Sequence, residues 1–224
     1  RAAVAWVGVI WLAPVAGPLL YITFGINRIR RRANELRGDL PRVVQTAAVR
    51  AYRPEVKDDQ VRPGLQPLVR LVDRVSRQPL LIGNRLTPLI NGDEAYPRML
   101  EAIARARSSI TLSAYIFTND AVGRDFARLL GEAVGRGVAV RVLVDAVGMR
   151  YSFPSIARHL RREGVPLARF MPTRTPLGMP FLNLRNHRKL LVVDGTLGFT
   201  GGMNIAAGNC IDNRPRHPIR DMHF

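Results

Sequence analysis

The chain has 224 residues, enough for one full domain with its own core and a short additional segment. A single cysteine excludes an intrachain disulfide and agrees with a reducing compartment. The formal net charge of +17 indicates an anionic partner, which on charge alone is either nucleic acid or an anionic membrane.

The N-terminal residues 2–26 carry no charged side chain. As a helix they would be about 37 Å long, and a bilayer core is about 30 Å thick. The sequence therefore predicts a transmembrane helix within residues 1–27, kinked at Pro14 and Pro18; a cleaved signal peptide is the alternative. Together with the net charge, this segment favours anionic lipid over nucleic acid as the partner.

Four arginines follow directly, at positions 28, 30, 31 and 32. The positive-inside rule predicts that this end and everything after it stay in the cytoplasm, on the inner (plasma) membrane. The same cluster attracts anionic headgroups.

Residues 28–83 are predicted to be a basic connector with a weakly helical stretch at 66–77. From residue 84 apolar strands and amphipathic helices alternate: strands at 86–90, 110–117, 138–144 and 165–170, and helices at 95–107, 121–135 and 154–163. Asp120 is a candidate N-cap. This alternation predicts an α/β sheet with helices on both faces. A Pro- and Gly-rich loop at 172–180 either lines a substrate mouth or only connects elements.

A motif near the C-terminal end has the form H-x-K-x4-D-x6-G-G-x-N and comprises His187, Lys189, Asp194, Gly201, Gly202 and Asn204. Histidine can act as a nucleophile, lysine can hold a phosphate oxygen, and glycines let the backbone approach an anion. Lys189 is one of only two lysines among 34 cationic residues, which indicates a need for a compact point charge at this position. The alternative is a purely structural role, in which the segment is a buried strand and the His and Lys have no function.

The spacing also predicts a hairpin around a two-residue Asp194-Gly195 turn. In that register His187 lies opposite Gly202, and one face carries His187, Lys189, Thr200, Gly202 and Asn204. Because Gly202 has no side chain, we expect a hollow beside the imidazole that a phosphate could fill.

The complete motif resembles the HKD signature of the phospholipase D superfamily, and residues 88–145 resemble the opening of a phospholipase D catalytic half. With the apolar N-terminus, the chain is most similar to the bacterial cardiolipin synthases. The resemblance implies a phospholipase D-like mixed sheet flanked by helices, here residues 84–224 after the predicted transmembrane helix. It also implies two HKD motifs at one site, one histidine forming a phosphohistidine and the other protonating the leaving group.

The reaction implied is phosphatidyl transfer between two phosphatidylglycerol molecules, which releases glycerol and needs no cofactor or metal. Hydrolysis by a phospholipase D, cleavage of nucleic acid, and a non-catalytic module that binds anionic lipid remain alternatives. Only one HKD motif is present, so the chain is interpreted as the first half of a longer protein, or else as a homodimer. By itself the chain is expected not to turn over substrate.

Site roles follow from the motif and the resemblance. His187 is the nucleophile or the acid, and Lys189, Asn204 and the Gly201-Gly202 backbone bind phosphoryl oxygens. Asp194 organises the turn more readily than it takes part in chemistry. The resemblance implies that Asp221 orients the histidine; a surface salt bridge to Arg216 or Arg220 is the alternative. Asp93 and Glu94 suit helix capping better than a metal site.

Overall fold

The computed structural model describes residues 2–21, 61–76, 80, 83–172 and 185–224. They form two compact units, Arg1–Arg85 and Leu86–Phe224. Most of the predicted connector and most of the loop at 172–180 lie outside the described residues.

The first unit contains helices α1 (Ala2–Leu12) and α2 (Ala16–Leu20), a 3-10 turn (Pro63–Leu65) and helix α3 (Gln66–Ser76). Helix α3 confirms the helix predicted at 66–77. The N-terminal apolar segment is interrupted at residues 13–15, where Pro14 has no N–H and its ring opposes a continuing helix. Within the ranges described, no helix is both long and apolar enough to cross a membrane, so the transmembrane helix predicted for residues 1–27 is not supported.

The second unit contains β1 (Leu89–Ile90), α4 (Asn91–Arg105), β2 (Ser109–Ala114), α5 (Ala121–Gly135), β3 (Ala139–Asp145), α6 (Ala157–Arg162), β4 (Leu167–Phe170), β5 (Leu190–Val193), β6 (Leu197–Thr200) and β7 (Met222–His223). A 3-10 turn (Gly148–Tyr151) follows β3, and two more (Ala207–Asn209 and Ile211–Asn213) lie between β6 and β7. Each predicted type is found, although several bounds differ.

Side-chain capping explains where helices α4 and α5 begin relative to their predicted first residues. Helix α4 begins four residues earlier than predicted, because the Glu94 carboxylate accepts the N–H of Ile90 at 2.8 Å and caps the first turn. Helix α5 has the predicted bounds, and Asp120 caps it as expected by accepting the N–H of Gly123 at 2.9 Å.

The main sheet of the described residues has the strand order β4-β3-β2-β5-β6. Strands β2, β3 and β4 are parallel, β5 is antiparallel to β2, and β6 is antiparallel to β5. Strands β1 and β7 form a separate antiparallel pair. This is the mixed α/β sheet that the sequence predicted.

One face of this sheet is buried, and it carries Ile110, Leu112, Val140, Val142, Leu191, Val193 and Phe199. On the opposite face Thr111 and Arg141 pair across β2 and β3 and are exposed. Right-handed crossovers that run from β2 to β3 to β4 place α5 and α6 on the same side. The sheet flanked by helices is confirmed, and the expectation that helices cover both of its faces stays a prediction.

The hairpin register also differs from the prediction. Leu197 pairs with Val193 and Thr200 pairs with Leu190, so the predicted pairing of Thr200 with Lys189 is wrong by one residue. Asp194 and Gly195 both have positive φ, 52° and 69°, as a two-residue turn requires. Thr196 is an additional turn residue before β6 begins, and this one insertion shifts every later partner.

Candidate active site

Segments distant in sequence meet at the carboxyl ends of β2 and β3. Tyr115 follows β2, Asp145 ends β3, and residues 185–189 lead into β5, which runs back along β2. Ligand sites of open α/β sheets lie at this edge, where the strands end and the connections diverge.

A buried ion pair fixes the segment that precedes His187. The Arg185 Nη2 and Nε atoms donate to Asp145 Oδ1 at 2.7 and 2.9 Å, and the Asn186 N–H donates to Asp145 Oδ2 at 3.0 Å. The Asp145 side chain is 0% exposed and that of Arg185 is 4% exposed. Burial by itself would raise the pKa of Asp145, but the Arg185 guanidinium and the backbone N–H donors outweigh it and leave the pKa below its ordinary value.

Asn186 extends this anchor to β2 and to the residue after the histidine. Its Nδ2 donates to Ser113 Oγ at 3.0 Å, and its Oδ1 accepts the N–H of Arg188 at 3.3 Å. The Asn186 side chain therefore holds the residues on both sides of His187, namely Asn186 itself and Arg188. These hydrogen bonds restrict the backbone of the histidine between them.

His187 itself is exposed, and its imidazole stacks on the Tyr115 ring with centroids 4.0 Å apart and planes 26° apart. Tyr151 meets Tyr115 edge-on at 6.3 Å. Burial and the hydrogen bond with Tyr151 raise the pKa of the Tyr115 hydroxyl. The imidazole thus has one face covered by an aromatic ring while its edge remains open to a substrate.

Lys189 lies beside the histidine. Its Nζ donates to the His187 carbonyl oxygen at 2.9 Å and lies 5.4 Å from the centroid of Tyr115. Desolvation lowers the pKa of Lys189, and the charge of Asp221 opposes that effect. The amine is thus a partly desolvated cation within reach of the same ring that supports His187.

Asn204 lines a small cavity together with Lys189, but its side chain also accepts a hydrogen bond from the backbone. Its Oδ1 accepts the N–H of Ile116 at 3.1 Å, and its carbonyl oxygen accepts the Tyr96 hydroxyl at 2.6 Å. Burial raises the pKa of that Tyr96 hydroxyl. The cavity measures about 10 Å³, space for about one water molecule, and the phosphate-binding role of Lys189 and Asn204 stays a prediction.

The two glycines of the motif make room for the chain terminus. A Cβ on Gly201 would overlap the backbone of Met222 and His223, and one on Gly202 would overlap the Asp221 carboxylate. The hollow predicted beside Gly202 is therefore filled by Asp221, because β7 crosses there. The Gly202 N–H is likewise taken by the Met222 carbonyl oxygen at 3.1 Å.

Asp221 and His223 bring two further titratable groups to this region. Among the described residues no hydrogen bond joins the Asp221 carboxylate to the His187 imidazole; the carboxylate instead accepts the N–H of Met222 at 2.7 Å. His223 is 2% exposed and lines the cavity with Lys189, and burial lowers its pKa.

Asp194 lies at the far end of β5, roughly 16 Å from Lys189 at the rise of an extended strand. Its carboxylate accepts the N–H groups of Ser109, Ser108 and Arg107 at 2.9, 2.8 and 3.0 Å. These three bonds, that of Ser109 foremost, hold the pKa of Asp194 well below its ordinary value. The residue joins the hairpin to the start of β2, as its turn role suggested, and does not reach His187.

A family model described as cardiolipin synthase, PLD-like domain matches residues 99–214, more than half of the chain. The chain belongs to this family. Its curated relatives include cardiolipin synthase of Geobacillus kaustophilus (strain HTA426), 33% identical over 99% of this chain and 44% of the relative. Cardiolipin synthase A of Pseudomonas aeruginosa (strain LESB58) is 34% identical over 100% of this chain and 46% of the relative. The chain thus spans less than half the length of these relatives.

Among solved structures, a phospholipase D family member, Nuc from Salmonella typhimurium, aligns with a TM-score of 0.45 and 24% identity over 61% of this chain and 80% of that chain.

The range matched to the PLD-like domain includes Tyr115 and the Asp145–Arg185 pair, which no motif in the sequence assigned to the site. One signal was available for Asp145, since an acidic residue directly after a predicted parallel strand lies at the edge where such sites form. Arg185 gave no comparable signal in a chain with 34 cationic residues. Asp221 and His223 lie beyond the matched range.

Proposed function

We propose that this chain supplies one half of the active site of a cardiolipin synthase-type phosphatidyltransferase. The observation that carries the proposal is the open imidazole of His187, supported by Tyr115 and flanked by the Lys189 amine. A nucleophile fixed on one face beside a partly desolvated cation suits attack on a phosphodiester, whose transition state gains negative charge on oxygen.

The proposed reaction has two displacements at one phosphorus. A nitrogen of His187 bonds to the phosphorus of phosphatidylglycerol, and the bond to the headgroup oxygen breaks. Glycerol leaves after that oxygen takes a proton from an acid. A hydroxyl of a second phosphatidylglycerol then attacks the phosphohistidine and loses its proton, which gives cardiolipin and frees the imidazole. Lys189 stabilises the phosphoryl oxygens in both steps.

The acid is proposed to come from a second HKD motif outside these 224 residues. His187 is the one histidine in the H-x-K pattern, and the chain spans less than half the length of its curated relatives. The second motif would belong to a further part of the same protein or to a second copy of this chain. Nucleophile and acid must both reach the same phosphorus, so one motif alone cannot complete a turnover.

Work at the membrane follows from the proposed substrates, because phosphatidylglycerol and cardiolipin are both bilayer lipids. The cytoplasmic orientation expected from the arginines at positions 28, 30, 31 and 32 stays a prediction, since residues 22–60 lie outside the described part of the chain.

Product analysis tests the proposal. Membranes that carry the full-length protein are incubated with phosphatidylglycerol, and lipids and glycerol are measured by mass spectrometry. We expect cardiolipin and glycerol from the unaltered protein and none above background from His187→Ala. His159→Ala is the matched control, because His159 lies outside the motif and its Nε2 atom lies 4.0 Å from the Glu163 carboxylate; it should retain activity.

Phosphatidic acid with glycerol, in place of cardiolipin, would identify hydrolysis as the reaction. Cardiolipin formation by a folded His187→Ala protein would exclude His187 as nucleophile and as acid. The same assay on the 224-residue chain by itself, verified as a monomer, should give no turnover, and sustained turnover there would exclude the need for a second motif.

A further inference from the structure

An exposed group of aromatic and basic side chains lies next to the His187 site. We define the aromatic-arginine rim by its members Tyr151, Phe153, Arg158, Arg161 and Arg169. Tyr151 contacts Tyr115 edge-on at 6.3 Å, and Tyr115 stacks on His187 at 4.0 Å, so the rim is continuous with the site. Apart from Tyr151, which contacts Tyr115, its members take part in none of the contacts described above for the site.

Phe153 is the unusual member of the rim. Its side chain is 101% exposed, and it lines two open grooves of about 280 and 490 Å³. An apolar ring held fully in water costs free energy that burial in another phase would recover. One exposed apolar residue is ordinary on a protein surface, and its meaning depends on what surrounds it.

The surroundings of Phe153 are basic and apolar. Arg158, Arg161 and Arg169 line the larger groove with it, and Pro154 and Ala157 supply the apolar lining. The described residues that line the two grooves include no acidic residue. Among the described residues no ion pair joins these three arginines to a carboxylate. Positive charge is thus gathered around the ring without local neutralisation.

We propose that the aromatic-arginine rim docks on an anionic phospholipid surface, with Phe153 inserted at the headgroup level and the arginines on lipid phosphates. Surfaces that bind bilayers combine aromatic rings with Lys or Arg in this way. A nucleic acid would use a series of free rings for base stacking, but Tyr151 is already engaged by Tyr115, which leaves Phe153 alone. The inference rests on the proposed function, because docking here would present membrane phosphodiesters to His187.

Binding is measured without turnover, in the full chain carrying His187→Ala. Vesicles of phosphatidylcholine with phosphatidylglycerol are compared with vesicles of phosphatidylcholine alone by co-sedimentation. Arg158→Gln with Arg161→Gln should weaken partitioning to the anionic vesicles by about 25-fold, about fivefold per arginine. The matched control, Arg98→Gln with Arg105→Gln on the exposed side of α4, loses the same charge and should change partitioning by less than about threefold.

Insertion of the ring is measured at the position itself. Phe153→Cys carries an environment-sensitive fluorophore, and Leu86→Cys, at a position 79% exposed, carries the same label as control. Cys210 is buried, so it competes little for the label. We expect a blue shift at position 153 with anionic vesicles and none at position 86. Phe153→Ser should weaken partitioning by about tenfold.

Three results would overturn the inference. If the rim pair and the control pair of arginine substitutions weakened vesicle partitioning equally, the binding would depend only on the net charge of the protein. A fluorophore at position 153 that responds to an oligonucleotide and not to vesicles would make the rim a nucleic-acid surface. A shift without lipid that grows with protein concentration would make it a contact between copies. Failure of the transfer reaction with these binding results intact would overturn the proposed function alone.

Discussion

Replacement of Asp145 by asparagine removes the charge that holds the segment leading to His187. The carboxylate is fully buried, and the guanidinium that it binds is 4% exposed. Asparagine has nearly the same shape, but it leaves the Arg185 charge without a counter-ion. It also replaces one carboxylate oxygen, a hydrogen-bond acceptor, by an NH2 group that faces other N–H donors. Breaking a buried pair from one side costs about 3–5 kcal/mol, a large part of the roughly 5–15 kcal/mol that stabilises a typical protein.

The assay is urea unfolding followed by circular dichroism, with Asp125→Asn as the matched control. The Asp125 carboxylate is 58% exposed and lies 3.9 Å from the Arg128 guanidinium, so its neutralisation should cost about 1 kcal/mol or less. Hydrogen exchange at the Asn186 amide is the local measure, because that N–H donates to Asp145 at 3.0 Å. Exchange should accelerate in Asp145→Asn and stay unchanged in the control.

A free energy of unfolding for Asp145→Asn within about 1 kcal/mol of the Asp125→Asn value would refute the argument that the pair is buried and uncompensated. Unchanged protection of the Asn186 amide would refute the argument that Asp145 fixes this segment.

Two further predictions concern the hairpin and its surroundings. Gly202→Ala should lower the free energy of unfolding by about 1–3 kcal/mol, because the added methyl group overlaps a carboxylate, whereas Gly198→Ala, with no heavy atom within 4 Å of the added Cβ, should cost less than about 0.5 kcal/mol; equal urea midpoints for the two variants would contradict this. Folding lowers the pKa of Asp194, so its contribution is complete above about pH 5 and is lost as the pH falls through the ordinary aspartate value near 3.9 and below. The stability difference between the unaltered chain and Asp194→Asn should therefore shrink between pH 7 and pH 3, and a difference independent of pH would exclude the carboxylate as its source.

The sequence predicted the parts of the site that are local in the chain. His187 and Lys189 are two residues apart, and the structure places the Lys189 amine on the His187 carbonyl. Helix α5 was predicted with its observed bounds, because its apolar period and its Asp120 cap agree. Positive φ at Asp194 and Gly195 likewise follows from turn chemistry.

What the sequence did not predict depends on contacts between distant residues. Asp145 and Arg185 are 40 positions apart, and no period or spacing relates them. The hollow expected at Gly202 is filled by Asp221, which precedes β7 and which an argument from the hairpin alone could not include. The predicted pairing of β5 with β6 was wrong because the turn contains one more residue than expected. That residue shifts every cross-strand pair by one position, and the type of turn alone does not determine the length of the loop. The apolar N-terminal stretch satisfied a length criterion, but Pro14 interrupts the helix within it.

The position of β5 beside β2 has a consequence for how the protein folds. Ile110 pairs with Val193, 83 positions later, although β2 already has β3 as a neighbour on its other side. During synthesis, β2 therefore carries an unpaired edge until residues 190–193 have left the ribosome, and open edges of this kind recruit other chains. Contacts of such sequence separation form slowly. The histidine segment is consequently assembled among the last parts of the domain, and substitutions that slow the closure of β5 should reduce the yield of folded protein before they alter its chemistry.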